Sequence, residues 1–385
     1  MRVQRPGRRT LGREHVEGAP IRKHTSAGSA TSVSRRALWG ALAEALHHPG
    51  LRRDLAGALA VAAVVLAWSY ARHSACHDEL TDVEPILVST RAMLDGRDPF
   101  AAVGPGAPFD RPWPQWYPAL AFVPLIPLAR LPLRLAADVF IALSAGWLTF
   151  AILRTRAARA PALASGAFLW ALMWRQWSPA LVAAALTPPL AGLVVVKPTT
   201  GLALLAGSRS RRAAAWAVVG GVSIAAVAFA LQPDWISRWL GTFRGWELHF
   251  VAPVTRLPFG PLLLLALLRW RRPEARLLVA LACIPQTNAV CDVLPLFLVA
   301  STFWEAALLA AATHIVGLAQ FQVYRTQSFS AYAATSAEWL VVAAYLPCLV
   351  MVLRRPAHPE HALAEIAGCY ADVPASERAS PRAGP

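Results

Sequence analysis

The chain reads as an all-α polytopic membrane protein, and three observations carry that reading. Of its 385 residues 56% are hydrophobic and only 15% charged. Mean hydropathy is +0.43, a balance that soluble domains rarely reach. The apolar residues come in runs separated by short basic clusters: Arg35-Arg36, Arg52-Arg53, Arg154/Arg156/Arg159, Arg209/Arg211/Arg212, Arg269/Arg271/Arg272 and Arg354-Arg355. That alternation is the positive-inside pattern of a multi-pass chain, not the continuous basic stripe of a nucleic-acid binder. The net charge of +15 therefore does not imply nucleic acid, and no groove-reading motif accompanies it.

The elements follow in order. Residues 1–34, rich in Arg, Gly, Ser and Thr, are expected to form a disordered cytoplasmic tail. They do not resemble a cleaved signal peptide, because no apolar stretch follows until Leu55. Residues 35–355 are the transmembrane domain, and 356–385 a second polar, Pro-rich cytoplasmic tail. The run from Leu55 to Ala71 is a first spanning helix whose Arg52-Arg53 flank sets the N-terminus inside. A first outer loop, 72–134, follows. Within it Val83–Leu94 reads as a short helix stopped by Gly96 and Pro99.

The next stretch, from Trp116 through Pro124, Pro127 and Pro132, is apolar but broken by prolines, each of which removes a backbone donor. It is expected to be interfacial or re-entrant. A crossing at 135–153 then returns Arg154, Arg156 and Arg159 to the cytoplasm. Runs near 160–174, 178–187, 189–197 and 198–206 are mostly shorter than the ~20 residues that span a bilayer. Such pieces are tolerated where neighbours bury them or where they line a cavity. A helix over 213–231 leads to a second outer loop at 232–256. Helices near 257–269, 276–284, 293–303, 305–318 and 338–353 bring the count to roughly ten to twelve, with both termini inside. No internal repeat is evident, which weighs against an inverted-repeat transporter.

This topology gathers the unusual residues on the outer face: Asp82, Glu84, Asp95, Asp98, Arg175, Gln176, Lys197, Asp234, Arg238, Glu247, His249 and Asp292, with eight tryptophans. An aromatic belt accounts for many of the tryptophans, but Lys197 opposes the charge rule. Asp82 and Glu84 stand at a helix start, where a carboxylate is either a cap or a general base that takes a proton from a sugar hydroxyl. A phosphate leaving group needs little acid assistance but wants a cation. Lys197, followed by Pro198 at a break between short helices, is placed to supply it. Arg175, within Trp174-Arg175-Gln176-Trp177-Ser178-Pro179, is either a second such cation or a snorkelling interfacial side chain. His249, two residues after Glu247, is a sugar contact or an ordinary loop histidine. His73, Cys76, His77 and Asp78 lack a second ligand pair with zinc-like spacing, so no metal or other cofactor is indicated. The five cysteines show no pairing pattern, although Cys76 and Cys291 both fall on the outer side.

These residues form a recognisable series. Asp82 followed by Arg91-Ala92-Met93-Leu94 and Gly96-Arg97-Asp98-Pro99-Phe100 resembles the aspartate-to-"LL-x-G-x-DPY" segment of glycosyltransferase family 87. Trp116-Tyr117-Pro118-Ala119-Leu120 resembles its "YPPL" element, Arg175-Gln176-Trp177-Ser178 lies where the family has "GQ-x-N", and Leu193 to Pro198 resembles "G-LL-x-x-KP". The order holds over residues 55–300. The resemblance implies a GT-C bundle in the plasma membrane with an extracytoplasmic active site. It implies inverting transfer of a sugar, mannose on the family pattern, from a polyprenyl-phosphate donor to an envelope glycan or glycolipid acceptor. Asp82 carries over as the base and Lys197 as a donor-phosphate contact, with Glu84, Tyr117, Arg175, Gln176 and His249 as further substrate-binding positions. The sequence departs from the pattern at Ala119, where the second proline stands, at Arg175, where glycine stands, and in a short connection near Thr187-Pro188-Pro189. The competing expectations are a non-enzymatic transporter or flippase of lipid-linked sugars, and an inactive relative. Polar residues gathered on one face rather than continuing through the membrane favour the enzyme.

Overall fold

Helix starts in this chain are set by proline and serine. Pro179, Pro198 and Pro273 open the helices Ser178–Leu186, Pro198–Ala206 and Pro273–Cys283. There their missing N–H is no loss and their fixed φ suits the first turn. Ser165, Ser210 and Ser328 cap the helices Gly166–Met173, Arg211–Leu231 and Phe329–Leu340, each hydroxyl accepting from backbone amides of the first turn. The computed structural model describes residues 49–75, 81–208, 210–244, 250–326 and 328–355. Both expected tails, the Cys76–Asp78 cluster, Glu247 and His249 lie outside these residues.

The described chain is mostly helical, with one two-residue parallel strand pair, Val103–Gly104 and Phe109–Asp110, and an isolated antiparallel bridge between Val251 and Gln286. Five helices are long and apolar enough to cross a membrane: Pro49–Arg72, Leu133–Thr155, Arg211–Leu231, Phe303–Val323 and Ala331–Arg354. This makes the protein an all-α membrane protein. The remaining runs are short α-helices and 3₁₀ segments. The proline-broken stretch forms 3₁₀ turns at Ala119–Ala121 and Val123–Leu128, and Gly260–Arg269 and Val290–Leu298 are 3₁₀ as well. The expected helix near 293–303 is thus shifted and shortened, and the one near 305–318 grows to Phe303–Thr326. The second outer loop, expected to be irregular, contains the helix Trp235–Thr242.

Helix α1 is Pro49–Ala75 and helix α2 is Val83–Leu94, with Asp82 immediately before α2. Helix α2 ends where Gly96 adopts φ +69°. The amides of Gly96 and Arg97 then return to the carbonyls of Met93 and Ala92, a left-handed glycine cap. Helix α3, Leu133–Thr155, runs antiparallel to α1. At one level Gly146 lies against α1: an added Cβ would stand 3.0 Å from both the Ala58 carbonyl oxygen and the Ala62 methyl carbon. At another, Ser69 bonds Asp138. Small residues permit this close approach.

The long helices have unlike ends. Arg52, Arg53 and Arg154 share one end with Asp54, whereas Arg72, at the far end of α1, borders a cavity. At the basic end, arginines close the open carbonyls left by broken helices. Arg159 donates to Leu298 and Ala300, Arg355 to Val299, and Arg276 to Ala206, Ser208 and Arg271.

Candidate functional site

Asp82 occupies the N-cap position of α2, yet its side chain makes no capping bond. Its amide donates to the Trp174 carbonyl at 3.0 Å. Its carboxylate Oδ2 instead accepts from the Tyr117 hydroxyl at 2.7 Å. Tyr117 is itself fixed by a chain of bonds. Its amide donates to Gln115 Oε1, Gln115 Nε2 donates to Ser89 Oγ, and Ser89 Oγ donates to the Pro99 carbonyl. The Gly96–Phe100 segment therefore supports Tyr117 from behind, and through it the carboxylate.

Lys197 sits at the junction between the 3₁₀ segment Pro188–Val196 and the helix Pro198–Ala206. Its Nζ donates to Asp292 Oδ1 at 2.8 Å and to Gln176 Oε1 at 3.4 Å. Thr287 Oγ1 holds the other oxygen of Asp292 at 2.8 Å. Asp82, Tyr117, Gln176, Lys197 and Asp292 all line one cavity of about 480 Å³. Trp113, Trp116, Trp174 and Trp239 supply aromatic wall, and Arg72 stands at its edge. The helix Trp235–Thr242 covers the rim. Trp239 Nε1 donates to the Trp116 carbonyl at 2.9 Å, and Arg238 bridges Asp98 and Asp234 at 2.6 Å each.

The electrostatics give Asp82 a distinct character. Burial pushes its carboxyl above the usual carboxylate range, against the opposing pull of Lys197, Tyr117 and Gln176, while Asp292 adds to the upward shift. Tyr117 is raised well above the ordinary phenol value, first by burial and then by Asp82, so it stays a protonated donor. A carboxylate with a raised pKa, one phenol donor and access to a cavity is suited to receive a proton.

Arg175 and Glu84 lie elsewhere. Arg175 is 1% exposed, does not line the cavity, and donates to Asp138 Oδ1 at 2.8 Å and Ser69 Oγ at 3.2 Å. Glu84 accepts from Thr81 at 2.7 Å and stands 3.7 Å from Arg111 and 3.9 Å from Arg175. The backbone explains this placement. Arg175 adopts φ +48° at the C-terminal turn of the helix Gly166–Met173, where the Gln176 amide returns to the Ala171 carbonyl. This is the left-handed position that glycine favours. The turn directs Gln176 into the cavity and Arg175 into the protein. The expected phosphate contact at Arg175 and the substrate contact at Glu84 thus give way to a buried ionic cluster beside the cavity. His249 falls outside the described residues. Cys291 is buried with a free thiol. Among the described residues no group of three or more metal-ligating side chains occurs.

Asp292, one of the polar residues the topology gathers on a single face, is a site residue to which the motifs assign no role. Its signal was a lone carboxylate inside the apolar run Val290–Leu298, since an ionisable residue in such a segment is a functional candidate by default. A second signal was composition. The chain has only two lysines, Lys23 and Lys197, among 37 basic residues, so the cavity cation is the single lysine among the described residues.

Fold and site together define a helical membrane protein with a charged, aromatic-walled cavity at one end of its long helices. No family model, curated protein or solved structure matches the chain.

Proposed function

We propose that the protein is a membrane glycosyltransferase that moves a sugar from a polyprenyl-phosphate donor to a glycan or glycolipid hydroxyl. One observation carries this reading: Asp82 and Lys197, 115 positions apart in the chain, line the same aromatic-walled cavity. In the reaction the acceptor oxygen attacks the anomeric carbon and the bond from that carbon to the phosphate oxygen breaks. The hydroxyl proton passes to Asp82, and the phosphate leaves with a second negative charge beside Lys197. Attack from the face opposite the phosphate inverts the anomeric centre. Tyr117 orients the base through its 2.7 Å bond. The tryptophans offer flat apolar surface to the C–H faces of sugars. The sugar is mannose on the family pattern that the motifs resemble. The cavity end is the extracytoplasmic end, because the arginine clusters at the opposite end of the helices mark the cytoplasm.

The test is transfer from a radiolabelled polyprenyl-phosphate mannose by protein reconstituted in liposomes. Asp82→Asn should lose on the order of 100-fold or more in rate, the scale of a general base, with expression intact and a thermal midpoint no lower than that of the wild type. Full activity in that variant removes Asp82 as the base. Movement of the labelled lipid across the bilayer with no product formed, in the wild type, would replace the enzyme with a flippase.

A further inference from the structure

Lys197 is held from two sides and open on a third. An ammonium carries three N–H donors. One goes to Asp292 at 2.8 Å and one, more weakly, to Gln176 at 3.4 Å; among the described residues the third has no acceptor. Asp292 is a fixed anchor, bonded on both oxygens by Lys197 and Thr287 and only 1% exposed. The Val290–Leu298 segment that carries it is tied down at its far end, where Arg159 and Arg355 grip the carbonyls of Leu298, Val299 and Ala300.

Burying such a carboxylate costs several kcal/mol before pairing, and charge balance alone does not ask for it. Asp82 lies on the same cavity with an opposite charge to offer Lys197. Yet among the described residues no ion pair joins Asp82 to Lys197, and Asp82 bonds a phenol instead. The ammonium is bonded to the second carboxylate and not to the first.

We propose that Asp292 is a positioning residue of this cavity: it keeps the Lys197 ammonium from closing onto Asp82 and presents the remaining N–H to an anionic oxygen of the substrate. That the oxygen belongs to a donor phosphate rests on the transferase reading; the arrangement of the three charges does not. Without Asp292, the nearest carboxylate left to Lys197 is Asp82. That pair would tie up the base and favour its ionised form. The groups facing Asp82 are Tyr117 from the proline-rich outer segment, Gln176 from the turn after Met173, Lys197 from its junction, Asp292, and Cys291 beside Asp292. Arg72 borders the same cavity from α1. Of these, Asp292 is the one whose removal both subtracts a like charge and frees the cation.

Two measurements on the full-length protein in nanodiscs test this. The first needs no activity. Carbodiimide coupling modifies protonated carboxyls, and mass spectrometry reads its pH midpoint at Asp82. Asp292→Asn should move that midpoint to lower pH, and Lys197→Gln should move it to higher pH. The second is kinetic. Asp292→Asn should lower kcat on the order of 100-fold, the scale of misplaced catalytic geometry, with a smaller change in donor KM and an acid limb moved to lower pH. Should Asp292→Asn fail to fold, Asp292→Glu keeps the charge but pushes the ammonium along by one methylene, and kcat should again fall. An unmoved Asp82 midpoint in Asp292→Asn, or full kcat in a folded Asp292 variant alongside an inactive Asp82→Asn, overturns the positioning role alone. The expected midpoint shifts in a protein that transfers no sugar even as wild type overturn the transferase reading and leave the arrangement standing.

Discussion

Two neighbouring sets of buried charges, adjacent in sequence at Asp82 and Glu84 and at Arg175 and Gln176, are built on opposite plans. In the ionic cluster, the acids Asp138 and Glu84 face the guanidiniums of Arg175 and Arg111, with Ser69 and Thr81 completing the bonds. In the cavity, Asp82 and Asp292 stand near one ammonium, which pairs with Asp292 and leaves Asp82 a phenol. The first plan matches acids with fixed, forked donors and keeps its ion pairs out of the cavity. The second leaves one carboxylate without an ion pair on the cavity wall. Acids matched in number by arginines mark charge that holds the fold, and a carboxylate without an ion pair of its own marks charge available for chemistry.

The comparison breaks most visibly at Arg175. Arg175→Ala strands Asp138 in the interior and should cost about 3–5 kcal/mol of stability, read as a large fall in thermal midpoint in detergent. An unchanged midpoint would mean the cluster holds nothing together. Asp82→Asn should move stability the other way. Burial raises the Asp82 pKa, so the folded state holds the proton more tightly than the unfolded chain. Its stabilising contribution is full below the ordinary carboxylate pKa and is lost as pH rises through the raised value. At neutral pH the asparagine variant should therefore melt higher than wild type, and the difference should vanish in acid. A lower melting point at neutral pH would show that Asp82 is paired after all.

Smaller effects sharpen the picture. Tyr117→Phe removes one hydrogen bond worth about 0.5–1.5 kcal/mol. Because that bond favours the ionised carboxylate, the acid limb of the pH–rate profile should move to higher pH; a limb that stays in place would detach Tyr117 from the base. At the rim, Arg238 is paired with Asp98 and Asp234 but 39% exposed. Arg238→Gln should leave the thermal midpoint nearly unchanged, since solvent and salt screen such pairs. A loss comparable to Arg175→Ala would place the rim helix among the structural elements.

Much of this was legible in the sequence, and the misses have physical causes. The first span, the helix Val83–Leu94 with its Gly96 stop, and the breaks at Pro188 and Pro198 follow from local rules of apolar length, glycine and proline. Lys197 stood out because its charge opposed its surroundings. The direction of Arg175 was not legible, because a single left-handed φ decides which of two adjacent side chains, Arg175 or Gln176, meets the cavity. Spacing could not tell whether the Asp82 side chain caps its helix; the structure shows that it does not, and that it meets Tyr117 across 35 positions instead. The helix Trp235–Thr242 was passed over for a different reason. Its Trp235/Trp239 and Ile236/Leu240 pairs carry a helical period, but over only eight residues, too few for periodicity to outweigh loop polarity.

The arginine clusters have a consequence for substitution that charge counting misses. By charge alone, lysine would serve as well as arginine at the basic end. But Arg159 reaches two carbonyls and Arg276 three or more, from different segments at once, and only a planar fork of donors spans such a set. A panel of single Arg→Lys exchanges should therefore divide the clusters in two. Arg52 and Arg53, at the start of α1, should tolerate the exchange. Arg159 and Arg276 should not, because each lysine would leave carbonyls of a broken helix open. The chain's near-exclusive use of arginine then becomes a construction rule for a bundle made of interrupted helices, with lysine at the one described position, Lys197, where the cation lines the cavity.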